Sequence, residues 1–209
     1  MLIIDTETTG LEGYPRDRVL EIGIAELSPD GNIKELYSEV IRYPDIIEFD
    51  SNYVNRDGSR GIWVYRNSSL RIEDTLDAEK DLETVVKEVR ELVADREVTS
   101  YNVPFDFGKF LDHDPWNLKD VCSISFDIMD LATDKVYQLA DDDLIDDKGL
   151  QKRILWERGD SSYPNKWVRS DDAYRILCPN DSRDVGRMQK HRALDDAVRE
   201  SYVLLALLG

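Results

Sequence analysis

Met1-Leu2-Ile3-Ile4-Asp5-Thr6-Glu7-Thr8-Thr9-Gly10 opens the chain with an apolar run that ends in two carboxylates two positions apart. Met1 to Ile4 has the character of a short buried strand, and Gly10 supplies a turn after it. Side chains alternate across a strand, so Asp5 and Glu7 share one face. Two carboxylates held side by side repel each other and resist ionising together. A hard divalent cation such as Mg²⁺ removes that conflict, because it prefers carboxylate oxygens. Taken alone, the stretch Asp5 to Gly10 also reads as a solvated strand end followed by a glycine turn.

Val19 to Leu27 and Ile33 to Arg42 read as two further strands, separated by the turn Pro29-Asp30-Gly31-Asn32. Together with the first strand they suggest an antiparallel meander. Residues 43–77 are irregular and bear aromatic side chains. Leu82, Val85, Val86, Val89, Leu92 and Val93 keep helical spacing and predict an amphipathic helix over 79–95. Glu97 to Ser100 is a short strand candidate. Pro104 then opens a second helix with Phe107, Phe110 and Leu111 on one face, and Val121 to Phe126 offers a fifth strand. Residues 135–190 carry the weakest pattern. Within them, Ile154-Leu155-Trp156 and Lys166-Trp167-Val168 flank Gly159 and Pro164 and suit a hairpin. The chain closes on a helix whose apolar face carries Leu194, Ala197, Val198, Leu204, Leu205 and Leu208. Three strands, then helix, strand, helix, strand and a final helix make an α/β or α+β domain.

With 209 residues, of which 41% are apolar, the chain is long enough for one domain with a sizeable core. No apolar stretch approaches the length of a membrane span, and Asp5 interrupts the N-terminus before a secretory signal could form. Cys122 and Cys178 fit neither a disulfide framework nor a zinc pattern, so a reducing cytoplasm is the expected location. The net charge is −17, but it is unevenly spread. Residues 1–151 carry −19, whereas residues 152–192 carry +4. The basic residues of that segment are Lys152, Arg153, Arg158, Lys166, Arg169, Arg175, Arg183, Arg187, Lys190 and Arg192. Such asymmetry either attracts a polyanion or is an ordinary charged surface. The chain has 29 Asp and 10 Lys, an excess that suits either a salty cytoplasm or an ordinary acidic protein. The cluster Asp141-Asp142-Asp143 with Asp146-Asp147 reads as a solvated loop.

Two more stretches carry chemistry. Tyr101-Asn102-Val103-Pro104-Phe105-Asp106 places a carboxylate in the first turn of the second helix. His191-Arg192-Ala193-Leu194-Asp195-Asp196 places another at the start of the last helix, with His191 just ahead of it. Taken in order, Asp5 to Leu11 (D-x-E-T-T-G-L), Asn102 to Asp106 (N-x-x-F-D) and His191 to Ala197 (H-x-A-x-x-D-A) resemble the three motifs of the DEDDh family of 3′→5′ exonucleases. That family includes polymerase proofreading subunits, ribonuclease T and oligoribonuclease. The resemblance implies a ribonuclease H-like fold, a mixed five-stranded sheet flanked by helices. It would form a single exonuclease domain over 1–209, with insertions at about 43–77 and 135–190.

By that resemblance Asp5, Glu7, Asp106 and Asp196 are the metal-binding carboxylates and His191 is the general base. Successive helix residues diverge by about 100°, so Asp195 and Asp196 cannot both face the site. The family's five-residue separation from His191 selects Asp196, which leaves Asp195 as a favourable charge near the helix N-terminus. The implied cofactors are two divalent ions, Mg²⁺ or Mn²⁺, serving the attacking and leaving oxygens of a phosphodiester. A histidine with a pKa near neutrality suits removal of the water's proton.

Thr8, Thr9 and Leu11, with Asn102 and Phe105, are the substrate-binding candidates at the 3′-terminal nucleotide. Trp156, Tyr163 and Trp167 interleave with the basic segment and either stack on bases or form a small local core. His113 has no matching motif and reads as a loop residue, and Asp127 and Asp130 read as structural or supporting carboxylates. The implied partners are 3′ ends of single-stranded DNA or RNA, with no membrane and no protein partner indicated. DNA is the favoured substrate; an RNA-trimming exoribonuclease or oligoribonuclease is the alternative. A rival from another class is an inactive domain of this fold that binds nucleic acid or protein as a scaffold. The intact carboxylates and histidine argue against it.

Overall fold

Strand β1 (Leu2–Thr8) lies at the centre of the sheet, and its first three residues are fully buried. A strand covered on both faces has no solvent side, so its sequence is a continuous apolar run until the carboxylates begin. It pairs antiparallel with β2 (Val19–Leu27), which pairs antiparallel with β3 (Ile33–Val40). On its other edge β1 pairs parallel with β4 (Glu97–Thr99), and β4 with β5 (Ser123–Ile124). The five strands run β3-β2-β1-β4-β5. The chain is described by a computed structural model, which covers residues 1–160, 167–180 and 192–209.

Alternation along the strands sorts the core into two layers. Leu2 and Ile4 of β1, with Ile22 and Ile24 of β2, face helix α4 (Leu82–Val93) and its Val85, Val86, Val89 and Val93. Asp81 caps that helix by accepting the Thr84 N–H at 3.0 Å. Ile3 and Ala25 point the other way, against α6 (Ile128–Asp141), α8 (Ser170–Leu177) and the long closing helix, called α9 (Ala193–Leu208). Asp5 and Glu7 are on the same face as Ile3, so the topology aims them at α9.

Several expectations are corrected. The predicted hairpin around Gly159 is not formed: 148–159 is helix α7 (Lys148–Gly159), capped by Asp147, and Trp167 and Val168 belong to no strand. Helix α7 buries only Leu150, Gln151 and Ile154, so its polar sequence has little helical periodicity to read. The acidic stretch before it is therefore not solvent loop alone. Asp147 caps α7, and Asp143 and Asp141 pair with Lys148 and Arg158. Residues 43–77, expected to be irregular, form α1 (Ile46–Asn52), α2 (Trp63–Asn67) and α3 (Ile72–Leu76) around a small core of Leu20, Ile46, Tyr53, Ile62, Val64 and Leu70. The helix expected after Pro104 begins as one turn, α5 (Val103–Phe105), and continues as a π-helix over Asp106–Leu111. The wider turn is marked by the Asp112 N–H reaching back five residues to the Phe107 carbonyl at 2.9 Å.

Candidate active site

The carboxyl ends of β1 and β4 open onto one corner of the sheet, where α9 and the π-helix also begin. Carboxylate oxygens of Asp5 and Glu7 from β1 and of Asp196 from α9 all lie within 4.8 Å of one another. Asp195 points to solvent. Asp106, buried at the start of the π-helix, accepts the Thr6 hydroxyl at 2.7 Å, which ties it to the strand carrying the other two.

Two features of β2 bring α9 close enough. Gly23, paired opposite Asp5, has no side chain because a Cβ there would lie 2.1 Å from the Leu194 nitrogen. Glu21, paired opposite Glu7 and 1% exposed, grips Arg192 through Nε at 2.8 Å and Nη2 at 2.6 Å. It also accepts the Ala193 N–H at 3.3 Å. A strand residue thus supplies the cap that Arg192, at the N-cap position, cannot give. One turn after Asp196, Arg199 places Nη2 2.6 Å from Asp196 Oδ1.

Burial and crowding push every carboxylate of the cluster towards its protonated form. Asp5 is held well above the usual range by burial, then by the charges of Glu200, Asp106, Asp196 and Glu7. Glu7 is raised well above its usual value by burial and by Asp196 and Glu21. Asp106 is pushed to about 7, chiefly by burial, against the Thr6 hydrogen bond. Asp196 reaches about 6, with burial opposed by Arg199. Groups this close cannot all ionise without a cation between them. An all-carboxylate oxygen set fits a hard divalent ion such as Mg²⁺ or Mn²⁺.

The remaining candidates among the described residues lie at the end of β1 and in the loop after it, on α5 and α6, and after the π-helix. Leu11 is 71% exposed at the rim. Thr8 donates its hydroxyl to the Gly10 carbonyl at 2.8 Å. Thr9 is fully buried, and its hydroxyl accepts the Arg18 N–H at 3.0 Å, so its side chain is spent on the loop itself. Asn102 caps α5 through the Phe105 N–H, and Phe105 packs edge-on against Phe110. Asp127 caps α6 and also accepts the Val103 N–H, and Asp130 accepts Trp167 Nε1 at 3.0 Å. His113 stacks on Tyr14 away from the carboxylates. His191 and Tyr163 lie outside the described residues, as do Lys166, Arg183, Arg187 and Lys190.

A cleft of about 1030 Å³ leads off from the carboxylates, lined among others by Asn102, Trp167, Arg169, Arg175, Asp196 and Glu200. Trp156 and Trp167 are 60% and 50% exposed, which excludes a buried local core for these two. Among the described residues of the basic segment, Arg158 pairs with Asp141 and Arg192 with Glu21, both acids outside the segment, while Arg153 pairs with Asp172 inside it. Its positive sum therefore overstates the charge left for a polyanion. Sequence reading missed Glu21, Arg192, Arg199 and Glu200. Glu21 had a signal in being an acid inside an apolar strand. Glu200 had one in being four residues after Asp196, on the same helix face.

A family model described as RNase_T, Exonuclease, matches residues 2–153. No curated protein sequence matches the chain. Among solved structures, the fold is similar to the zinc-bound E. coli exonuclease I–single-stranded DNA complex, with a TM-score of 0.60 at 15% identity over 98% of this chain. It is also similar to E. coli exonuclease I in complex with a dA16 oligonucleotide, with a TM-score of 0.53 at 13% identity over 98% of this chain. The chain spans 38% and 39% of the length of those two proteins. By the family match over residues 2–153, most of its length, this chain belongs to the exonuclease family that the RNase_T model describes.

Proposed function

We propose that the chain, acting as a single domain, is a metal-dependent exonuclease that removes nucleoside 5′-monophosphates from the 3′ end of single-stranded DNA. The observation that carries this reading is the meeting of Asp5, Glu7 and Asp196 within 4.8 Å, with Asp196 lining a cleft. The similar E. coli structures contain single-stranded DNA, which supports that substrate class here.

Asp5, Glu7 and Asp196 would hold a first Mg²⁺ or Mn²⁺, with Asp5 and Asp106 turned to a second. When bound, two such ions supply an activated water and neutralise charge on the attacking and leaving oxygens. The chain's own residues do the rest. His191 would take the proton of the attacking water. The next residue in sequence, Arg192, is held by Glu21 through its guanidinium. Leu11, Thr8, Asn102 and Phe105 would receive the terminal nucleotide. Trp167, its indole N–H fixed on Asp130, offers a stacking face along the cleft.

The test uses 5′-labelled single strands of DNA and of RNA with Mg²⁺ or Mn²⁺. A descending ladder, faster on DNA and abolished by chelation or by Asp5→Ala, is expected. Faster RNA trimming would favour the exoribonuclease alternative. Uncut strands, with Asp5→Ala indistinguishable from the parent, would leave the scaffold reading instead.

A further inference from the structure

The corner holds a carboxylate that none of the three motifs contains. Glu200 lies four residues after Asp196, on the same face of α9, and is 3% exposed. The Tyr101 backbone N–H serves its carboxylate, yet Oε2 has no hydrogen-bond partner among the described residues. Its side chain lines the same cleft as Asp196. A buried, ionisable acceptor without a partner is costly and calls for a ligand or a water that the site itself supplies.

We propose that Glu200 is a fifth carboxylate of the metal centre, supplying an oxygen beside Asp5 and Asp106, to the second ion or to its water shell. The inference rests on the metal-dependent reading above.

Charge bookkeeping supports it. When all are ionised, Asp5, Glu7, Asp106, Asp196 and Glu200 carry five negative charges against one positive charge on Arg199. Two divalent cations cancel that excess, whereas one leaves half of it in a buried corner. The rival role is structural, with Glu200 serving as a partner for its neighbour Arg199. Arg199, however, is already directed to Asp196 Oδ1 and to the Ser170 hydroxyl.

Counting bound Mn²⁺ by electron paramagnetic resonance distinguishes the two without any activity readout. The parent chain should bind two ions. Glu200→Gln, which keeps the shape and removes the charge, should keep the tighter ion and loosen the weaker one by about 10–100-fold, the usual effect of losing a supporting group around a metal. Metal-free, the same variant should melt no lower than the parent, because a buried repulsion is relieved. Glu200→Asp keeps the charge but withdraws the oxygens, and should also weaken the second ion. Two-ion binding by the parent with unchanged isotherms in both variants would overturn the role of Glu200 alone. A metal-free melting temperature that falls in Glu200→Gln, with Mn²⁺ binding intact, would assign it to Arg199 instead. A parent chain that binds no Mn²⁺ would overturn the proposed function itself and this inference with it.

Discussion

Asp106 and Asp196 are held at about 7 and about 6 by burial, and Asp5 and Glu7 higher still than their ordinary values. The folded protein without metal therefore binds more protons than the unfolded chain between the ordinary carboxylate pKa and these raised values. Stability then falls as pH rises through that window, from about 4 to about 7 and beyond. A chelated sample should melt highest at mildly acidic pH and progressively lower towards pH 8, and added Mg²⁺ should reverse the loss. Asp196→Asn should flatten the pH dependence and raise the metal-free melting temperature by a few degrees while removing activity. A melting curve that climbs from pH 5 to pH 8 in chelator would show that the carboxylates are not crowded as described. At this scale the four motif acids were legible because a local pattern carries them. Glu21 and Arg192 were not read as a pair, since they are 171 residues apart in sequence and meet only through the packing of α9 on β2. For His191, exchange to alanine should cost about 10²–10⁴-fold in kcat with binding of single strands retained. An unchanged pH–rate profile in that variant would move the base elsewhere.

The loop after β1 shows what an element-scale reading adds. Asp17, 3% exposed, accepts the Glu12 and Gly13 N–H groups at 2.7 and 3.1 Å and the Tyr53 hydroxyl at 2.6 Å. Tyr53 caps the C-terminal end of α1, so residues 43–77 reach across to the loop that carries Thr8, Thr9 and Leu11. Gly10 is required at the crossing, because a Cβ there would lie 1.7 Å from the Tyr53 hydroxyl oxygen. Residues 43–77 thus brace the loop after β1. Tyr53→Phe leaves a buried carboxylate short of one donor, a loss of about 1–3 kcal/mol in stability. It should raise KM for single strands several-fold with kcat little changed. A fall in kcat at constant KM would place the brace on the chemistry instead. None of this was legible beforehand, because helices of five to seven residues carry too little periodicity to separate from loop. Helix α7 failed for a related reason: its polar surface left the triplet Ile154-Leu155-Trp156 looking like a strand. Helix α4 and strands β2 and β3 were legible within a few residues.

Across the whole molecule the sheet could be anticipated while the electrostatics could not. Strand count and the antiparallel meander followed from alternation and turn residues, and the structure orders them β3-β2-β1-β4-β5. The net charge of −17 was plain in composition, but its disposition depends on which cations are already paired. Arg18 with Asp45, Arg158 with Asp141 and Lys148 with Asp143 are partly exposed pairs worth little individually and weakened by salt. Against them stands the mutual repulsion of the many acids without such partners, which salt also screens, with a Debye length of about 10 Å at 0.1 M. With 44 acidic and 27 basic residues, the repulsive pairs outnumber the attractive ones, so screening should favour the folded state. Thermal unfolding followed from low to molar KCl should therefore show a rising melting temperature. Binding of single strands should weaken only shallowly over the same range, because among the described residues Arg153, Arg158 and Arg192 are already paired and have less charge to displace phosphate counterions. A melting temperature that stays flat or falls would show that the surface pairs dominate. A steep salt dependence of binding would show that Arg169 and Arg175 contact the phosphates after all.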